Sequence, residues 1–137
     1  MLRRLRGQSS VEMAAILVIL LPIIVGAVDL SRAYFAYDIL VHAVNEGARR
    51  GSFDTNSTNI VTAVTGAGSI LSLSAANVVV TCYTGASLTT KTCSLMTLGD
   101  SVRVTANSVF TPITPGIAAI LPGGILTLVA TAQRTFQ

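Results

Sequence analysis

At 137 residues the chain has room for one small domain and one apolar segment. With 51% hydrophobic but only 11% charged side chains, it falls well below the roughly 25% charge usual in soluble domains. The net charge of +3 resides in Arg3, Arg4 and Arg6; the rest of the chain carries six basic and six acidic residues. That neutral body excludes the basic patch a nucleic-acid partner would need.

Residues 1–7 form a short basic leader beside an apolar run, the pattern of a topology signal that stays cytoplasmic. Gln8-Ser9-Ser10 then supplies N-cap chemistry, with Ser9 and Glu12 at capping-box spacing. From Met13 to Val28 no charged residue occurs. With Val11 and Leu30 included, the apolar part extends over about 11–30, close to the roughly twenty residues of a membrane span. Pro22 and Gly26 lie within it and are tolerated in membrane helices. Pro22 removes a backbone donor, so a kink is expected just before it. A cleaved signal peptide would have a shorter apolar core and a break after it. Here a second helical pattern follows directly: Leu30, Ala33, Tyr34, Tyr37, Val41, Val44 and Ala48 recur at three- and four-residue steps. Asp38–His42 and Glu46–Arg50 are spaced for i,i+4 pairs. We therefore expect one membrane and stem helix over residues 8–50, ending at Gly51 as a C′ residue after Arg49 and Arg50.

Residues 51–137 read as a small extracytoplasmic α+β head. Ser52–Asn59 is a loop and Asn59–Val64 a short helix. Asn56-Ser57-Thr58 matches a glycosylation acceptor, too short a motif to carry weight. Asn77–Tyr83, Ser101–Phe110 and Leu126–Arg134 read as strands. In the second, Val102, Val104, Ala106, Ser108 and Phe110 share one face. In the third, Leu126, Leu128, Ala130 and Ala132 point inward. A three- or four-stranded antiparallel sheet this small needs a cover, and the helix stripe from Leu30 to Ala48 is the natural one. Cys82 and Cys93 lie in this outer half, where oxidation is permitted. A disulfide is the preferred reading, and two buried free thiols the alternative.

Enzyme chemistry is not expected. A Ser-His-Asp set would have to use His42, which already has a helix-surface partner in Asp38. The carboxylates show no paired arrangement, and Gly123-Gly124 is a turn and not a phosphate loop. No cofactor or metal is expected either, since the one histidine is remote from both cysteines.

Glu12 is the informative residue. A carboxylate in an apolar helix costs roughly 2–4 kcal/mol to insert. It must either meet a positive partner or snorkel to the headgroups, and the cost alone does not choose between them. The string Arg3-Arg4-Leu5-Arg6-Gly7-Gln8-Ser9-Ser10-Val11-Glu12 resembles a type IV prepilin cleavage region. Together with Tyr34-Phe35-Ala36-Tyr37 and Asn45-Glu46-Gly47-Ala48-Arg49, it is similar to the TadE-like family of the tight-adherence (Flp) pilus machinery. The resemblance covers about residues 3–51, with Met13-Ala14-Ala15 a mild departure.

The resemblance implies a pilin-like lollipop: a pilin or minor pseudopilin held in the bacterial inner membrane, head outward. It implies cleavage between Gly7 and Gln8 by a prepilin peptidase, and assembly with copies of itself or other pilins into a surface filament for adhesion or secretion. A pilus platform and its ATPase are further implied partners. Glu12 would neutralise the new amino group on Gln8 of a neighbour. Tyr34, Tyr37, Gly47 and Ala48 would pack the stem, although Gly47-Ala48 reads equally as an ordinary helix end. The competing expectation is an uncleaved single-pass anchor whose head binds another envelope component.

Overall fold

A computed structural model describes residues 5–85 and 89–137, with side chains from Gln8 onward. The basic side chains of the leader lie outside the described residues. One helix, α1 (Leu5–Gly51), dominates; its 47 residues make it about 70 Å long at 1.5 Å per residue. Helix α2 (Ser57–Ala67) follows. A four-stranded antiparallel sheet is built from β1 (Val78–Tyr83), β2 (Thr90–Lys91), β3 (Ser101–Phe110) and β4 (Leu126–Thr135), in the order β2-β1-β3-β4. A short helix, α3 (Pro115–Ile120), lies between β3 and β4. The α+β lollipop expected from the sequence is what forms.

β3 and β4 pair along their full length, from Ser101 opposite Thr135 to Phe110 opposite Leu126. Their alternation puts Val102, Val104, Ala106 and Ala130 into the core, with Val78 and Cys82 from β1. Leu40, Ala43, Val44 and Ala48 meet them from α1, and Ile60 and Val64 from α2. Leu128 and Ala132 border this core, whereas Leu126 lies outside it and is 38% exposed.

Several expectations are corrected. The helix begins at Leu5, so Ser9 sits inside it and caps nothing; Glu12 instead accepts from Gln8 Nε2 at 3.3 Å. Pro22 lies within a continuous α1, as expected. Neither expected i,i+4 pair forms. Glu46 takes both fork nitrogens of Arg49, and Arg50 reaches Asp54 at 3.0 Å. Asp54 is the better partner for Arg50 because its carboxylate is already fixed by the Asn56 N–H and Asn59 Nδ2. Gly51 is the last residue of α1 and has no left-handed conformation. It is needed for space: a β-carbon there would lie 2.8 Å from Val102 Cγ1.

The stripe facing the sheet holds at Val44 and Ala48 but is displaced by about one row of side chains in its first half. Leu40, Ala43, Val44, Gly47, Ala48 and Gly51 are buried, but Leu30, Tyr34 and Tyr37 are exposed. Successive helix residues turn by about 100°, and the small residues Ala33, Ala36, Ala43 and Gly47 form the row along which backbones approach most closely. The sheet takes that row, and the tyrosines fall to its flank.

Helix α2 is longer than predicted. Asn56 begins it, its side-chain oxygen accepting from the Thr58 N–H at 3.0 Å, which accounts for the Asn-Ser-Thr string as a helix cap. The two-residue strand β2 was not apparent in the polar loop, and α3 was not apparent between the prolines.

Candidate assembly surface and membrane stem

From Gln8 to Val28 the side chains of α1 are exposed apart from the half-buried Gly26. An eighteen-residue window of the helix has a mean hydropathy of 2.7, and none of it is buried. Apolar side chains such as Val18, 72% exposed, and Ile19, 68% exposed, would be strongly unfavourable in water, since burying each contributes roughly 1.5–3 kcal/mol. A helix of this length and composition suits the membrane interior, where every backbone group is satisfied within the helix.

Glu12 projects from this bare surface with Gln8 as its hydrogen-bond partner. The Gly7–Gln8 peptide, the expected cleavage point, lies within the first turns of α1. Pro22 and Gly26 are in the same bare half. Leu30, Tyr34, Phe35 and Tyr37 extend the exposed apolar surface beyond it. The site residues predicted from sequence thus divide between two places. Gln8, Glu12, Tyr34 and Tyr37 lie on the open stem. Gly47 and Ala48 are buried under the head, where a β-carbon at Gly47 would collide with Val64 Cγ2.

Cys82 and Cys93 form a disulfide, with Cα atoms 5.2 Å apart. It ties β1 to the loop after β2. Beside it Asp100, buried, accepts from Lys91 Nζ at 2.8 Å, the Thr97 N–H at 2.8 Å and the Gly85 N–H at 3.2 Å. The Lys91 ammonium, then the Thr97 amide, hold its carboxyl well below the ordinary carboxylate range. Its donors come from β2 and from two separate loops, so Asp100 organises the end of the head farthest from the bare helix. An open groove nearby, lined by Asn56, Thr81, Cys82 and Lys91, has no concentrated chemistry. Among the described residues no group of His, Cys, Asp and Glu is placed to hold a metal ion.

Sequence reasoning missed Asp29. It is buried, 2% exposed, at the point where the apolar run ends. Its carboxylate accepts from the backbone N–H groups of Ile113 at 3.1 Å and Thr114 at 2.7 Å, and from Arg32 at 3.1 Å. Asp29 thereby fastens the stem to a loop more than eighty residues away. The available signal was an aspartate ending an uncharged run, but nothing local identified its partners.

These features define a protein with a membrane-type stem and a compact α+β head docked on the stem's far half. The family model described as TadE-like protein matches residues 7–49. Over that segment, from the glycine of the expected cut to Arg49, the stem is similar to TadE-like proteins, and the head lies outside the match. Comparison with curated proteins and with solved structures gave no match.

Proposed function

We propose that the chain is a pilin or minor pseudopilin of a Tad-type pilus. In this reading it is inserted in the bacterial inner membrane with its head outward, cut after Gly7 by a prepilin peptidase, and assembled through its stem into a filament for adhesion or secretion. The observation that carries the reading is Glu12. It stands five residues after Gly7, on an exposed apolar helix, inside the matched segment. Cleavage would free an amino group on Gln8 with a pKa near 7.7–8.0, hence positive at neutral pH. Neighbouring stems would then pair that charge with Glu12, since an unpaired charge in an apolar bundle is costly and a pair is tolerated. The exposed Leu30, Tyr34, Phe35 and Tyr37 offer further apolar contact between stems.

We propose no enzymatic role for the head. Partners on this reading are other pilin subunits, the peptidase, the assembly platform and its ATPase. The test is coexpression with a prepilin peptidase, followed by intact mass measurement and electron microscopy of sheared fibres. A mature chain starting at Gln8, present in fibres and lost from them in Glu12→Ala, is the expected outcome. A chain that keeps residues 1–7 and stays in the membrane would instead make it an anchored envelope-binding protein.

A further inference from the structure

The connection between β3 and β4 leaves several large apolar side chains exposed. Ile113 is 67% exposed, Ile120 84% and Ile125 41%. No charged residue occurs between Arg103 and Arg134. This loop does not project freely from the head. Its N–H groups at Ile113 and Thr114 are held by Asp29, and Ile117 Cδ1 would lie 3.8 Å from a β-carbon at Gly26. Gly26 belongs to the uncharged run that forms the membrane segment. The head thus reaches back along its own stem to the level of the last apolar turn.

That level can be estimated. Val11–Val28 is about 27 Å long at 1.5 Å per residue, against a hydrocarbon core of roughly 30 Å. Ile117 therefore stands within about one helical turn of the hydrocarbon edge. Interfacial helices bury their apolar side roughly 5–10 Å deep at this boundary. Arg32, paired with Asp29 and 5.4 Å above the Phe110 ring, lies on the headgroup side of the same point.

We propose that the loop around α3 is a second membrane contact, in which Ile113 and Ile120 enter the headgroup–acyl boundary of the leaflet nearest the head. The occupant is lipid because the patch adjoins the bare apolar surface of α1 at Gly26, and the carboxylate at that junction, Asp29, is buried and hydrogen-bonded. The loop then acts with the span as a two-point attachment and fixes the tilt of the head on the membrane. This goes beyond the pilin reading and rests only on insertion of α1.

The chain has no tryptophan, so single-tryptophan variants of the full chain can report depth. We would reconstitute Ile120→Trp, Ile19→Trp and Leu98→Trp separately in phosphatidylcholine–phosphatidylglycerol vesicles containing brominated lipids. Leu98, 80% exposed, lies at the opposite end of the head beside Asp100. All three positions are exposed, so the head should fold in each variant. The expected result is loss of fluorescence that grows with the brominated fraction for Ile19→Trp and Ile120→Trp, and none for Leu98→Trp. Quenching at Ile19 without quenching at Ile120 overturns the proposal and leaves the span intact. Blue-shifted Ile120 emission that depends on protein concentration and not on bromination also overturns it, in favour of a second copy as the occupant. Absence of quenching at Ile19 removes both the proposal and the membrane insertion beneath it.

Discussion

The two halves of α1 differ in solvent more than in structure. Both are regular helix and both are rich in apolar residues, but residues 11–28 have almost no contact with the rest of the chain, whereas Leu40 to Gly51 are buried in the head. The side chains explain the division. The bare half carries bulky Ile, Leu and Val around its whole circumference, which suits a surround of lipid or neighbouring stems. The packed half carries one row of small residues, Ala43, Gly47, Ala48 and Gly51, on which a sheet can sit close to the helix backbone. Small residues select a specific partner surface, and bulky ones all round select an environment. This contrast makes a sharp expectation: head stability should depend strongly on the second half and hardly at all on the first.

The largest effect should come from Ile60→Ala. Ile60 is fully buried between α2 and the Gly47–Gly51 face of α1. Truncating such a residue leaves a cavity and typically costs 2–5 kcal/mol. We expect about 4 kcal/mol in urea unfolding of the head followed in micelles. Next comes the disulfide. Replacing Cys82 and Cys93 together by serine opens a loop of about a dozen residues, for which chain entropy gives about 3 kcal/mol. Reduction of the unaltered protein should reproduce that loss. An unchanged unfolding midpoint in either experiment would show that the head draws its stability from somewhere other than this core.

The sequence carried much of this division, but unevenly. The charge gap between Glu12 and Asp29, and the alternation of β3 and β4, each depend on residues close together in the chain. They therefore predicted the stem and the sheet, and the cysteines' place in the outer half predicted their bond. What was lost depends on distant contacts. Tyr34 and Tyr37 follow helical spacing as well as Ala43 and Gly47 do, and only the sheet's approach decides which row is buried. Gly51 resembles a terminating glycine by position but is present because Val102 leaves no space for a β-carbon. Asp29 and Asp100 were passed over for the same reason: the backbone N–H groups that hold them come from loops whose location the chain order does not reveal. For the candidate site, the expectation at Gly7, Gln8 and Glu12 rests on a short linear spacing, which needs no distant contact to be read.

A smaller effect should appear on acidification. Asp100 has a folded-state pKa below its unfolded value near 3.9 because Lys91 and the Thr97 amide favour the ionised form. Where the unfolded chain binds more protons than the folded one, stability falls as pH falls. The contribution of Asp100 is thus complete above about pH 5 and is lost progressively as pH drops through 4 toward the depressed folded value. Asp54, lowered chiefly by the Asn56 amide, adds in the same direction. In Asp100→Asn the head should melt lower at pH 7, and its melting temperature should fall less steeply between pH 5 and pH 3 than in the parent. Equal slopes would mean that the Lys91–Asp100 pair does not persist in solution.

The smallest effect is the most discriminating. Ile24→Ala makes the same chemical change as Ile60→Ala, but in the bare half, where Ile24 is 49% exposed. No cavity forms inside the molecule, because detergent or lipid flows into the space the side chain leaves. Substitutions away from packed features usually fall within ±0.5 kcal/mol, so the unfolding midpoint of the head should stay within that range while Ile60→Ala moves it by several times as much. Ile24 is nevertheless one turn from Val28 and from the Asp29 clamp that holds Ile113 and Thr114. If Ile24→Ala destabilises the head by more than about 1 kcal/mol, the bare segment and the α3 loop unfold together, and the boundary between the two halves of α1 moves inward from Asp29 into the membrane. If the midpoint holds, Asp29 is where the folding unit ends, and the helix before it answers to its surroundings alone.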